Sequence, residues 1–409
     1  MKLPIAILPA LLVLSAPAFA NEPGLPDEAA VAGALDDHPS VLAARARVDA
    51  AKAEARALGK GPHEFTVTGM AIQRSVDREG TFDEYDAQLM RGIRLPGKAR
   101  LDREIGSYGV EAAENLAEDA KHQAALLLAG YWFDWLAAEA QARVDSAAVG
   151  NYERSVAATR RRMELRDAAQ LEVDQAEAAL GTARVLAEQS AGQAEVARAR
   201  LQAHFPALAL PAQAPELPAP VEDDAGLVAL SEKISDNSHE IAAAQAEAQK
   251  RGAMAERARR DRTADPSVGV RLFSERSGAE RGAGLVFTMP LGGGHRRALA
   301  DQAGADASAA QADVQLARYN VREVASADLA EARYRIAAWK RARQALDAQV
   351  EALTKLRRGH QLGEIDLSDL LLGERMVHDA FRNEALARAE ALRAVTRLRI
   401  DSHQLWLAD

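Results

Sequence analysis

The sequence predicts a mostly helical chain with a small β part, in which one long helical hairpin unit is written twice. Three observations carry this. Aromatic residues make up only 4% of the chain against 48% hydrophobic, so alanine and leucine supply the apolar share, a mix suited to long helices and coiled coils. The order of segments repeats: His38-Pro39-Ser40-Val41-Leu42-Ala43-Ala44 opens a helical stretch and recurs as Asn237-Ser238-His239-Glu240-Ile241-Ala242-Ala243. After each copy come a short strand-like region holding a turn and then a very long helical run.

The chain has 409 residues and carries 51 Lys+Arg against 60 Asp+Glu, a net charge of −9, so it lacks the basic footprint of a duplex nucleic-acid binder. It contains no cysteine, which excludes disulfides, thiolate metal sites, a cysteine nucleophile and a lipid-bearing N-terminal cysteine. Residues 1–20 read as a cleaved signal: Lys2 gives the positive start, Ile5 to Val13 the apolar stretch, and Ala18-Phe19-Ala20 the small-x-small cleavage pattern. The apolar stretch is too short for the roughly 20 residues of a spanning helix. No later stretch approaches one, so any membrane insertion must use strands.

The first repeat is assigned to 21–204, with strands at about 64–74 and 83–95. Phe65, Val67, Gly69 and Ala71 alternate with Thr66, Thr68 and Met70; Ser75 to Thr81 reads as a turn; Tyr85, Ala87 and Leu89 alternate with Asp86 and Gln88. Residues 205–224 form a connector holding five of the 15 prolines, which argues against helix there. The second repeat is 225–409, with strands at about 267–276 and 283–291 around a turn at Ser277 to Gly282. At roughly nine to twelve residues, each strand can cross a bilayer when tilted. Two exposed hairpins on a soluble protein are the alternative, but each would be marginal in water and carry unpaired edges.

The helical runs extend from Ala99 to about Phe205 and from Ala298 to about Leu407. Leu128, Trp132 and Trp135, and again Leu346, Val350 and Leu353, recur at i, i+4, i+7 as coiled-coil seams. Each run folds back once, at tips placed at about 163–170 and 359–367. At the second tip Gly363 suits a helix C-cap, and Asp366 or Ser368 can cap the next helix.

This succession of signal, helix, strand pair, helical hairpin and proline-rich link, twice over, resembles the TolC-type outer membrane efflux protein family across essentially the whole mature chain. Two motifs carry the likeness. Leu95-Pro96-Gly97-Lys98 stands where strand gives way to helix, and Pro290-Leu291-Gly292-Gly293-Gly294-His295 is its counterpart. At the tip, the family places an acid six residues after a glycine and a second three residues later. Here Asp369 follows Gly363 at that spacing, Leu372 replaces the second acid, Arg166 replaces the first-repeat glycine, and Glu172 keeps its acid.

The resemblance implies a homotrimer. Its chains would each give four strands to one twelve-stranded transmembrane β-barrel, and the helices would continue as a periplasmic α-barrel. It implies a non-enzymatic outer membrane duct with a large periplasmic portion, working with a periplasmic adaptor and an inner-membrane RND-type pump. Asp369 and Glu172 are the expected acidic collar of the entrance, Arg166, Gly363 and Arg162 the expected adaptor-docking tips, and Pro96, Gly97, Pro290 and Gly292 the strand-to-helix junctions. The short chain, the Leu-Pro-Gly-Lys element and the compact turns look most like the heavy-metal (cobalt–zinc–cadmium or copper–silver) branch. A drug-efflux or type I secretion channel, or a soluble periplasmic coiled-coil scaffold, is the alternative.

Nine scattered histidines form no metal-binding spacing, so no metal site or cofactor is assigned and they read as ordinary surface residues. No Walker loop or Gly-x-Ser-x-Gly is present; Gly292-Gly293-Gly294 is read as structural. Arg160 to Arg162 is either a solvated tip face or a contact for a partner's hairpin. Phe65, Phe82, Tyr85 and Phe287 either mark a lipid interface or pack in a core.

Overall fold

The structure, a computed structural model, describes residues 23–221 and 223–407. The predicted signal at 1–20 lies outside the described residues. The element order displays the duplication. In the first half α1 (Glu28–Asp36) and α2 (Pro39–Lys60) precede strands β1 (Phe65–Val76) and β2 (Gly80–Gly92), followed by α3 (Lys98–Glu164) and α4 (Gln170–His204). In the second half α5 (Asp224–Asp236) and α6 (His239–Arg260) precede β3 (Ser267–Glu275) and β4 (Glu280–Thr288), followed by α7 (Gly294–Gln361) and α8 (Leu367–Asp401). Lengths match pairwise: α2 and α6 have 22 residues each, α3 and α7 have 67 and 68, and α4 and α8 have 35 each.

At 1.5 Å per residue α3 and α7 are each about 100 Å long. α3 packs against α2 along one half and α4 along the other, and α7 likewise against α6 and α8. The cores are therefore strung along the rods. Near the tips Tyr152, Val156, Leu180, Leu353, Leu370 and Val377 join four helices in one cluster. Near the middle, Leu128, Trp132 and Trp135 are buried with Val31, Leu201 and Phe205. On α7, Leu346 and Leu353 are buried but Val350 is 39% exposed, at the rim of its stripe. The connector also packs inward, through Leu208, Ala214 and Leu217. Its prolines leave carbonyls without a ladder, and arginines supply donors: Arg143 to Ala214 O (2.7 Å), Arg198 to Ala212 O (3.2 Å) and Arg388 to Leu217 O (3.2 Å).

The strands form one antiparallel sheet in the order β1-β2-β3-β4, so the hairpins of the two repeats lie side by side. The turns are tighter than the sequence suggests. Ser75 pairs with Thr81 and Val76 with Gly80, leaving only three residues in the first turn, where Arg78 (φ 63°) and Gly80 (φ 106°) reverse the chain. β4 begins three residues before its predicted start because Glu280 already pairs with Glu275, and it ends three residues before its predicted limit, where Pro290 has no N–H to extend the ladder.

Candidate functional site

The register sorts the sheet's side chains onto two faces. Val67, Ala71, Leu89, Val270, Leu272 and Leu285 lie on one, which is apolar and exposed, Leu285 to 91%. Thr68, Glu84, Asp86, Gln88 and Arg271 lie on the other, with Gln88 directly opposite Arg271 and Arg271 ion-paired to Asp86. Phe65, Tyr85 and Phe287 belong to the apolar face, whereas Phe82 sits on the polar face beneath the Arg276 guanidinium. β1 and β4 each present an edge with no strand paired to it among the described residues.

Below the sheet, the two strand-to-helix junctions are tied together by a buried ion cluster. Gly97 takes φ 85° as the N-cap of α3, and a Cβ there would stand 2.3 Å from Arg260 Nη1. Lys98, 1% exposed, donates to all the acceptors its ammonium can use: Thr263 O, Asp265 Oδ1 and Asp261 Oδ1, each at 2.8 Å. Asp265 in turn accepts from the Leu95 N–H (3.0 Å) and meets His63 Nε2 (3.0 Å). Burial works against the Asp265 charge, but these donors hold its carboxyl below the usual carboxylate range. Beside it Asp102 bridges Arg94 (2.8 Å) and Arg257 (2.7 Å). Pro96 sits in the bend ahead of Gly97; at the second junction Pro290 ends the ladder and Gly292 (φ 89°) accepts from Arg296 through its carbonyl (2.6 Å).

Each tip closes with the same backbone geometry. At the second, Gly363 (φ 76°) follows α7, its N–H bonding to His360 O (3.0 Å) and that of Glu364 to Gly359 O (3.0 Å). At the first, Arg166 (φ 62°) holds the same place, its N–H bonding to Met163 O (2.9 Å) and that of Asp167 to Arg162 O (2.8 Å). A side chain in this left-handed conformation costs about 1 kcal/mol relative to glycine. Arg166→Gly is therefore expected to raise the unfolding free energy by about 1 kcal/mol and Gly363→Ala to lower it by a similar amount. Urea denaturation of the two variants checks the pair of opposite signs; effects of the same sign would refute the shared motif.

The predicted entrance residues have different surroundings. Asp366 caps α8, accepting from the Asp369 N–H (2.9 Å), while the Asp369 carboxylate is exposed and unpaired among the described residues. Glu172 accepts from the Ala169 N–H at the start of α4 (3.2 Å) and meets Arg162 (3.5 Å), so its carboxylate is engaged within its own tip. Arg162 is the hub: it donates to Asp167 (3.0 Å) and reaches His360 Nε2 (3.2 Å) on the other hairpin, whose Nδ1 donates to Ile365 O (2.9 Å). Ser368 also reaches across, to Gln175 (3.5 Å). Arg166 and Gly363 are exposed at the apex.

Two buried ion clusters escaped sequence reading. Asp145, fully buried on α3, accepts from His378 Nε2 (2.7 Å) and Arg382 on α8, so His378 is an interior tie and not a surface residue. Asp328 and Asp401 lie together with His122 (2.8 Å to Asp401) and Arg397 (3.1 Å to Asp328). Burial, reinforced by the Asp401 charge, pushes the Asp328 carboxyl up to about 8. Asp328 Oδ2 has no hydrogen-bond donor among the described residues and Asp401 Oδ2 has only the Arg397 Nε at 3.6 Å, so a proton held between the two carboxylates would satisfy both. One signal was available: Asp145 and Asp328 each occupy an apolar seam position, three residues before Ala148 and three after Ala325.

A family model described as outer membrane efflux protein matches residues 31–205. No curated protein matches the chain. Among solved structures, the outer-membrane channel OprN superposes with a TM-score of 0.77 at 19% identity, covering 93% of this chain and 90% of that one. A membrane protein from Pseudomonas aeruginosa gives 0.78 at 19% identity, over 93% and 91%. The open state of the Neisseria gonorrhoeae MtrE outer membrane channel gives 0.70 at 18% identity, over 93% and 89%. The sequence pattern of the outer membrane efflux proteins thus runs through residues 31–205, and 93% of the chain has the fold of an outer-membrane channel.

Proposed function

We propose that the chain is the outer membrane channel of a tripartite efflux system: a homotrimeric, non-enzymatic duct through the periplasm and outer membrane. The observation that carries this is the four-stranded sheet with one exposed apolar face and two open edges, set on rods about 100 Å long. In lipid an open edge leaves backbone groups without partners, so the sheet is stable there only when closed by strands of further copies. The polar face, with Gln88 and Arg271, then lines the lumen. Conductance by the purified chain in planar bilayers, together with a three-chain mass in detergent, tests the reading. A freely soluble monomer that leaves bilayers unaltered would sink it.

The tips are the periplasmic entrance. Arg166, Gly363 and Arg162 offer the docking surface for an adaptor's helical hairpins, and the Arg162–His360 and Ser368–Gln175 contacts hold the two hairpins together until it docks. An inner-membrane RND-type pump supplies the energy and selects the cargo. Heavy-metal cations are the cargo we favour, on the compact turns, the Leu-Pro-Gly-Lys junction and the free Asp369 carboxylate, three copies of which would form a cation-attracting collar with Leu372 beside it. Asp369→Asn is expected to weaken block by Zn²⁺ added on the tip side in single-channel recordings. Unchanged block would remove Asp369 from the collar.

A further inference from the structure

The four segments that flank the sheet at its helical end carry a charge opposite to that of the chain. Residues 59–64, 91–104, 256–266 and 289–301 lead into or out of the four strands, and antiparallel pairing brings all four to one level. They hold twelve lysines and arginines against seven aspartates and glutamates, a net of +5 in a chain of −9. The turn end differs: residues 73–84 and 274–281 hold four against six, a net of −2. The buried cluster around Lys98 is balanced internally, so the excess lies on the surface, where Lys60, Arg91, Arg259 and Arg297 are exposed.

Arg91 fixes which way the excess faces at one point. It stands on the apolar sheet face, opposite Phe65, with its guanidinium 4.8 Å from the centre of that ring. An exposed cation stacked on an aromatic at the rim of an apolar band is the arrangement of an interfacial anchor, with the stem in hydrocarbon and the head at the polar layer. We infer that this rim is a girdle that binds the phosphates of anionic phospholipids in the inner leaflet. Phosphate is what a fork of arginine donors recognises, and only a lipid can present it beside Leu285 and Phe287 on the exposed apolar face.

The inference rests on the membrane reading above, and its test separates the two. The protein is reconstituted into vesicles of phosphatidylethanolamine containing a minor share of phosphatidylglycerol, re-extracted, and its retained lipid analysed by mass spectrometry. The wild type is expected to retain phosphatidylglycerol above its bulk share, to lose the enrichment as salt rises, and to keep it in excess inorganic phosphate. Combined Arg91→Gln, Arg259→Gln and Arg297→Gln changes are expected to abolish the enrichment. Insertion without enrichment in the wild type overturns the girdle and leaves the membrane reading standing. So does a variant that keeps the enrichment but changes the ion selectivity of the channel, since the charges would then face the duct. Failure to insert into any vesicle overturns both.

Discussion

Lys98→Met is expected to lower the unfolding free energy by about 3–5 kcal/mol, the usual cost of removing one partner from a buried ion pair. Methionine fits the space, so the loss is electrostatic. Asp265 and Asp261 each lose a charged donor at 2.8 Å, and the Thr263 carbonyl loses its partner. The consequence is not confined to one segment, because Lys98 begins the first long helix while its acceptors lie between α6 and β3. Both repeats should loosen at the point where sheet meets rods. Thermal unfolding followed by circular dichroism, with the exposed Lys60→Met as control, reads the effect. Equal midpoints for the two variants would show that the ammonium does not hold the junction.

The second large effect is pH-dependent. The Asp328 carboxyl, raised to about 8 by burial and by Asp401, keeps its proton in the folded chain where the unfolded chain has already lost it. A raised folded value contributes stability that is complete below the unfolded value near 4 and is lost as pH climbs through about 8. Asp328→Asn supplies an amide N–H in place of the shared proton and removes that dependence. The variant is therefore expected to match the wild type near pH 4 and to exceed it at pH 8 by about 5 kcal/mol, the difference between the folded and unfolded values at about 1.4 kcal/mol per pH unit. Urea titrations across that interval check the divergence. Parallel curves would mean that the two acids do not share a proton.

These two sites also mark the limit of what the sequence discloses. The long helices, the duplication and the four strands are legible because each rests on local spacing. Alternation of period two and seams such as Leu128, Trp132 and Trp135 need no knowledge of the partner. Alternation likewise places Gln88 and Arg271 on one face. The ion clusters join residues 167, 233 and 279 positions apart, as in Lys98–Asp265, His378–Asp145 and His122–Asp401, and although an acid on an apolar seam, as at Asp145, marks a buried charge, no local pattern names its partner. Phe82 shows the same limit on a smaller scale. Its parity sets it opposite Arg74 on the polar face, which proximity to the strand end alone does not indicate. At the tips, spacing singles out Asp369 and Glu172 equally, and only the structure separates the free carboxylate from the one engaged by Arg162.

The way α2 and α4 divide one unbroken α3 between them has a mechanical meaning. The uninterrupted rod would carry any rotation as a stiff beam, and its fulcrum would be the packed centre where α1, α4 and the connector meet it around Trp132. The arm from Trp132 in the central core to Glu164 at the tip is about 48 Å. A swing of only ~5° about that fulcrum carries the apex about 4 Å, a side-chain's breadth of clearance gained from a barely perceptible shift at the pivot.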